Sequence, residues 1–234
     1  MNAAIGLVGF VGGILTGIIF LNRGFTLKRS YDQSVVEGIG FSAANILLIV
    51  LLIAAPAFVF FSASGPGSMY APLWMSLAGG LIVGVVAQRS RLCFIGGVRD
   101  AVLCKDFHML IPFTVMLAVV LAGNLITGNF DFGFESQPIA HTELVWNILG
   151  LYLVGFGSVL LSGCPLRQLV MAGSGNSDAA ITALGFLVGA AICHNFGLAS
   201  SGAGATSNGH IAFVICVVVM FAIAIFNTKS MQGV

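Results

Sequence analysis

Two short polar stretches, each set between apolar runs, carry the side chains able to do chemistry. One runs Ser162-Gly163-Cys164-Pro165-Leu166-Arg167-Gln168 and continues through Gly173-Ser174-Gly175-Asn176 to Asp178. The other runs from Ser90 to Asp106 and holds Arg91, Cys93, Gly96, Gly97, Arg99 and Asp100. Proline is favoured at the first helical position, where its missing N–H costs nothing. Gly163-Cys164-Pro165 therefore predicts a short helix capped by Cys164, running to about Ala172 and ended by Gly173. A thiol at a helix N-terminus sits in the positive field of the backbone dipoles, which favours thiolate and attracts anions. Arg167 adds a full positive charge one turn in. The plainer alternative is a buried cysteine before a helix-starting proline, with Arg167 extending to the membrane interface; the local motif leaves both open. Cys93 stands in a similar setting ahead of Gly96-Gly97 and takes functional weight from that parallel. Arg99 and Asp100 are adjacent and read as an ion pair anchoring a helix end.

The other thiols have weaker claims. Cys104 and Cys216 read as buried filler, the common state of free cysteine. Cys193-His194-Asn195 ends a predicted helix and opens a loop of small residues, so it is a candidate lining for a path. Cys93 and Cys104 are eleven residues apart, about 16 Å along a helix, too far for a disulfide. The five cysteines form no C-x-x-C pair and show no metal-ligand spacing. Neither a Ser/His/Asp arrangement, a phosphate loop nor a nucleotide fingerprint is visible. No cofactor is expected, and no convincing pair of histidines for haem is seen.

These residues must be positioned by elements that live in lipid. Apolar residues make up 58% of the 234 positions and charged residues 7%, against about a quarter charged in soluble domains. So few charges cannot cover a water-soluble fold, and the chain reads as an all-α integral membrane protein. A net charge of +1 without a basic cluster excludes a nucleic-acid partner. Seven apolar segments are visible: Ala3–Leu21, Gly38–Phe61, Ala71–Ala87, Met109–Gly128, Leu144–Leu161, Ala179–Cys193 and Ile211–Phe226. The last two are short for a span of about 20 residues and predict broken, tilted or partly buried helices. Non-helical backbone at membrane depth is tolerated only against protein or a water-filled cavity. Leu92–Val98 and Leu166–Met171, both largely apolar, and the uncharged Asn195–Gly209 are accordingly expected as membrane-embedded re-entrant stretches facing a central path.

Lys and Arg fall in alternate loops: Arg23, Lys28 and Arg29; then Arg89, Arg91, Arg99 and Lys105; then Arg167; then Lys229. The intervening loops, which hold Asp131, Glu135 and Glu143, have neither. By the positive-inside rule the N-terminus lies outside, the C-terminus lies in the cytoplasm, and both cysteine motifs face the cytoplasmic side. The N-terminal run lacks a preceding basic residue and a cleavage site, unlike a removable leader. An internal pseudo-repeat is also expected: Gly84 stands nine residues ahead of Cys93 and Gly155 nine ahead of Cys164, while Gly13-x-x-x-Gly17 is followed at the same distance by Thr26. The chain thus reads as a single polytopic domain over 1–234, with repeat-like segments of about 3–61, 71–128 and 144–226.

Three motifs, Cys93-Phe94-Ile95-Gly96-Gly97-Val98-Arg99-Asp100, Gly163-Cys164-Pro165-Leu166-Arg167-Gln168-Leu169 and His194-Asn195-Phe196-Gly197-Leu198, resemble the YeeE/YedE sulfur-transport family. Their wording is most similar to the branch associated with selenium metabolism. The resemblance implies a bacterial inner-membrane protein that passes a small sulfur anion, thiosulfate in the characterised branch, or a selenium counterpart, into the cytoplasm. It implies that Cys93 and Cys164 conduct the substrate, with Arg91, Arg99, Asp100, Arg167, Cys193, His194 and Asn195 supplying charge or lining the path. A cytoplasmic sulfurtransferase of the TusA type is the implied partner. The family's thiosulfate transporters also carry a cysteine in the first repeat, whereas Asn22 to Ser30 has none, which points to another substrate or a two-thiol path. Two rivals stand beside a transporter: a membrane thiol oxidoreductase or sulfurtransferase working through a Cys164 persulfide, and a structural subunit recruiting a sulfur carrier.

Overall fold

A computed structural model describes residues 2–27, 31, 32, 34–54, 71–128, 130, 133 and 141–228. Lys28, Arg29, Asp131, Glu135, Lys229, the Ser62–Tyr70 loop and the end of the second apolar segment beyond Ala54 lie outside them. Among the described residues there are nine helices and no strand beyond isolated bridges. They are α1 (Asn2–Asn22), α2 (Val35–Ala54), α3 (Leu73–Ser90), α4 (Phe94–Leu103), α5 (Ile111–Ile126), α6 (Leu144–Leu160), α7 (Pro165–Gly173), α8 (Ser177–Asn195) and α9 (Ser207–Phe226).

This is an all-α membrane protein. Six helical stretches are long and apolar enough to cross a bilayer, counting α3 with α4 and α6 with α7. The remaining predicted segment, the fourth, is also helical, but α5 has only 16 residues, about 24 Å of rise against a hydrocarbon core of about 30 Å. Pro112 sits at its start and Gly128, at φ +71°, follows its end. The expectation of broken sixth and seventh segments is corrected. Asn176 accepts from the Ala179 N–H and Thr206 from the Gly209 N–H, and these caps draw polar residues into continuous helices of 19 and 20 residues. Lipid as solvent explains α2, which has no buried residue although Ile46 is 62% and Val50 52% exposed.

The densest packing joins α1 to α6, which run parallel. Cβ atoms added at Gly9 and Gly13 would strike the carbonyls of Ile148 and Tyr152, and one at Gly155 would strike that of Phe10. Small residues of this kind let membrane helices approach backbone to backbone. The Tyr152 hydroxyl donates to Thr16 Oγ1 at 3.0 Å, and Thr16 donates to the Gly12 carbonyl at 3.0 Å. Beyond that seam Phe156, with no exposed surface, packs with Phe25, Leu160 and Ala224. A second, alanine-lined contact joins α7 to α8 through Ala172, Ala179, Ala180 and Ala183.

Loops assigned by charge to the same face meet one another. Thr26 donates to the Asn227 carbonyl at 3.3 Å, and Ser177 to the Tyr31 carbonyl at 3.0 Å. At the other end Ala205 donates to Glu143 at 2.8 Å.

Candidate functional site

The chain leaves α3 through Arg91, which adopts a left-handed conformation at φ 51°, and reaches Cys93 in extended backbone. Cys93 caps α4, its sulfur accepting the Gly96 N–H at 3.4 Å. Gly96 and Gly97 are needed because the segment leading into α5 lies against them: added Cβ atoms would meet Met109 Cε at 3.2 Å and the Leu110 backbone at 3.2 Å. The second break is built similarly. Ser162, at φ 60°, turns the chain after α6, and Cys164 in extended backbone caps α7 with Pro165 at the first helical position. The predicted helix to Ala172, ended by Gly173, corresponds to α7 (Pro165–Gly173), and the first two predicted re-entrant stretches are the short helices α4 and α7.

These breaks converge. Cys93 and Cys164, 71 residues apart in sequence, meet at one apolar cluster. Each thiol stands at the amino end of a short helix, Cys93 before α4 and Cys164 before α7. The Gly96 N–H donates to the Cys93 sulfur, whereas the Cys164 sulfur accepts no cap bond. The amino ends of two short helices are thus turned on one pair of sulfurs. Ile14, Ile18, Ile95 and Val159 enclose Cys93, and Cys164 packs against the same cluster. Ile14 and Ile18 belong to the second half of α1. Cys93 is 5% exposed, while Cys164 is half-buried.

Such an arrangement offers backbone donors and soft, polarisable sulfur to a small anion, within an otherwise apolar wall. The surrounding charges are placed unevenly. Arg99 Nε pairs with Asp100 Oδ1 at 2.9 Å, so the two largely neutralise each other. Arg167 lies over Gly163 through its Cβ and Cγ and has no ion-pair partner among the described residues. Arg91 is exposed at its turn. Cys193, His194 and Asn195 end α8, about 24 Å of helix from Ser177, and none of them touches the thiol pair. Cys104 and Cys216 are exposed, which corrects their reading as buried filler: Cys104 closes α4 at its C-terminus, and Cys216 lies on an exposed side of α9. Among the described residues no group of three or more His, Cys, Asp or Glu could hold a metal ion.

Gln168 was not singled out by the sequence. It is 3% exposed, and its Nε2 donates to the Leu161 carbonyl at 2.6 Å. That bond satisfies a carbonyl released where α6 ends, and so fixes the bend that delivers Cys164. The signal available was its position four residues after Cys164, on the same helical face. Gln168 also lines a cavity of about 490 Å3, with Thr26, Ser162, Met171, Asn176 and Asp178.

Residues 89–225, more than half the chain and both cysteine turns, match the family described as sulphur transport. The chain belongs to that family. Among curated proteins it is similar to the thiosulfate transporter TsuA of Spirochaeta thermophila, at 33% identity over 120 residues, 50% of this chain and 35% of that protein. It is also similar to the thiosulfate transporter TsuA of Escherichia coli, at 26% identity over 124 residues, 53% of this chain and 35% of that protein. The matched stretch thus spans about a third of each relative's length. No solved structure matches the chain.

Proposed function

We propose that this protein moves a small sulfur-containing anion, thiosulfate-like or its selenium counterpart, into the cytoplasm by way of Cys93 and Cys164. The observation that carries the reading is the packing of Cys164 against the cluster that encloses Cys93, each thiol at the amino end of a short helix. An anion leaving water forfeits its hydration, and the opposed N–H groups return part of it. Sulfur is only a weak hydrogen-bonding partner, so the anion is held loosely enough to leave, the condition for conduction. Family membership and similarity to two thiosulfate transporters support a sulfur anion as cargo.

In this reading the protein is a transporter or channel rather than an enzyme. It is a single polytopic domain of the bacterial inner membrane, with N-terminus outside and C-terminus cytoplasmic. Repeat-like segments of about 3–61, 71–128 and 144–226 surround the path, and Arg167 supplies its nearest unpaired charge. Arg91, Cys193, His194 and Asn195 act at its approaches, and a TusA-like sulfurtransferase receives the cargo. Uptake of radiolabelled thiosulfate, sulfite, selenite and selenide into proteoliposomes containing this chain alone tests it. Uptake of at least one, abolished in Cys164→Ala and in Cys93→Ala protein that still purifies as wild type, is expected; undiminished flux in either variant refutes the thiol role. Uptake by the chain alone also disposes of a purely structural subunit.

The half-buried Cys164 beside a second thiol favours one further reading, a sulfurtransferase working through a Cys164 persulfide. It requires a trapped persulfide in detergent, without any gradient. Alkylation followed by mass spectrometry distinguishes that outcome from transport.

A further inference from the structure

We propose that the cavity where α6 gives way to α7 binds a partly hydrated monovalent cation of sodium size, held by oxygen atoms of Gln168, Asp178 and the carboxyl ends of those two helices. Its volume is about 490 Å3, room for an ion that keeps part of its water, since a water molecule takes up about 30 Å3. Ser162 and Gln168 line it from the α6–α7 turn, Asp178 and Thr182 from the start of α8, and Thr26 from the loop after α1. Among the described residues no Lys, Arg or His lines it.

Gln168 gives the cavity its sign. It is 3% exposed, and its Nε2 donates to the Leu161 carbonyl at 2.6 Å. A carbonyl can only accept, so the amide has one orientation, and Oε1 is left as an acceptor that receives no bond among the described residues. A buried polar atom of that kind calls for a partner. Asp178 adds a full negative charge; its Oδ2 accepts the Tyr31 N–H at 3.4 Å, and Oδ1 receives no bond among the described residues. Thr182 spends its hydroxyl proton on the Asp178 carbonyl at 2.9 Å, so its oxygen can offer only lone pairs. Helix direction acts in the same sense. Leu161 closes α6, Met171 stands in the last turn of α7, and both line the cavity, which brings the negative ends of two helices to it. The amino end of α8 arrives as well, but Asp178 lies in its first turn and offsets it. Helix α7 thus has Cys164 at its amino end and the cavity at its carboxyl end. Hard cations take oxygen ligands, and the carboxyl ends of broken membrane helices supply them. An anion entering the cytoplasm moves against an inside-negative potential, and a cation carried with it offsets that cost. This coupling rests on the transport reading above; binding of the cation does not.

Thermal unfolding of the purified full chain in detergent, in sodium chloride against choline chloride at equal ionic strength, tests the site. A midpoint raised by several degrees, saturating as sodium is added, is expected for the wild type. The shift should vanish in Asp178→Asn and shrink in Gln168→Met. Equal wild-type midpoints in the two salts overturn the site, as does a sodium shift that both variants retain in full. In proteoliposomes an inward sodium gradient should raise the initial rate of thiosulfate uptake severalfold, and Asp178→Asn should remove that gain. Uptake indifferent to the gradient, with the midpoint shift intact, overturns the coupling. Absence of any uptake, with the midpoint shift intact, is failure of the transport reading alone.

Discussion

At Cys93 the chain leaves an 18-residue helix through a left-handed Arg91 and enters a helix of ten; at Cys164 it leaves a 17-residue helix through a left-handed Ser162 and enters one of nine. The two turns differ in what holds them. Cys93 is enclosed and its own sulfur caps the helix that follows, whereas Cys164 makes no such cap and relies on Pro165 and on Gln168. The helices leading in differ more. In α6, Gly155 lies against the Phe10 carbonyl, but its counterpart in α3, Gly84, has nothing within 4 Å of an added Cβ. One local design thus stands in two settings: α6 is fixed by α1, while α3 meets the rest of the chain chiefly through the turn it delivers.

The largest expected effect is at the α1–α6 seam. Gly155→Leu forces these backbones apart and should abolish a monodisperse peak in detergent chromatography, whereas Gly84→Leu should leave the peak unchanged. Equal collapse in both variants would erase the distinction between the two lead-in helices. Gln168→Ala comes next. It removes the hydrogen bond to the Leu161 carbonyl, roughly 0.5–1.5 kcal/mol, and should lower the thermal midpoint by a few degrees while reducing uptake through a displaced Cys164. A midpoint equal to wild type would mean that Pro165 alone holds this turn. Third is the cap itself. Cys93→Ala removes the acceptor for the Gly96 N–H, worth about 0.5–1 kcal/mol for a weak cap, and Cys93→Ser should recover that loss in thermal unfolding. At Cys164, Ala and Ser should be equal in stability, because no cap bond exists to restore.

The ease of reading the sequence follows the same division. Helix α7 could be read to the residue because Pro165 and Gly173 punctuate it, and the seven apolar segments all became helices. What escaped was set by partners that no local pattern announces. Gln168 looks like any polar residue of a short helix until the Leu161 carbonyl is seen above it. Cys104 and Cys216 followed the general preference of thiols for burial, yet lipid is an apolar solvent and accepts them exposed. The ends of α8 and α9 were drawn too short because hydropathy stops where polar caps begin, although Asn176 and Thr206 extend the helices past that point. Meeting of the two thiol turns at one apolar cluster was expected from the parallel of their motifs; which sulfur caps its own helix depends on backbone direction and was not legible.

The smallest effect is the most discriminating. Glycine inside a helix costs roughly 0.5–1 kcal/mol relative to alanine, so Gly84→Ala should raise stability by up to about that amount if nothing packs on α3. At Gly155 the same propensity gain is overwhelmed, because the added methyl group meets the Phe10 carbonyl. Opposite signs are therefore expected for one substitution at two equivalent positions, read as the shift in unfolding midpoint in detergent. A loss at Gly84 matching that at Gly155 would mean that α3 is packed as closely as α6, and the contrast between the two turns would then lie only in their caps.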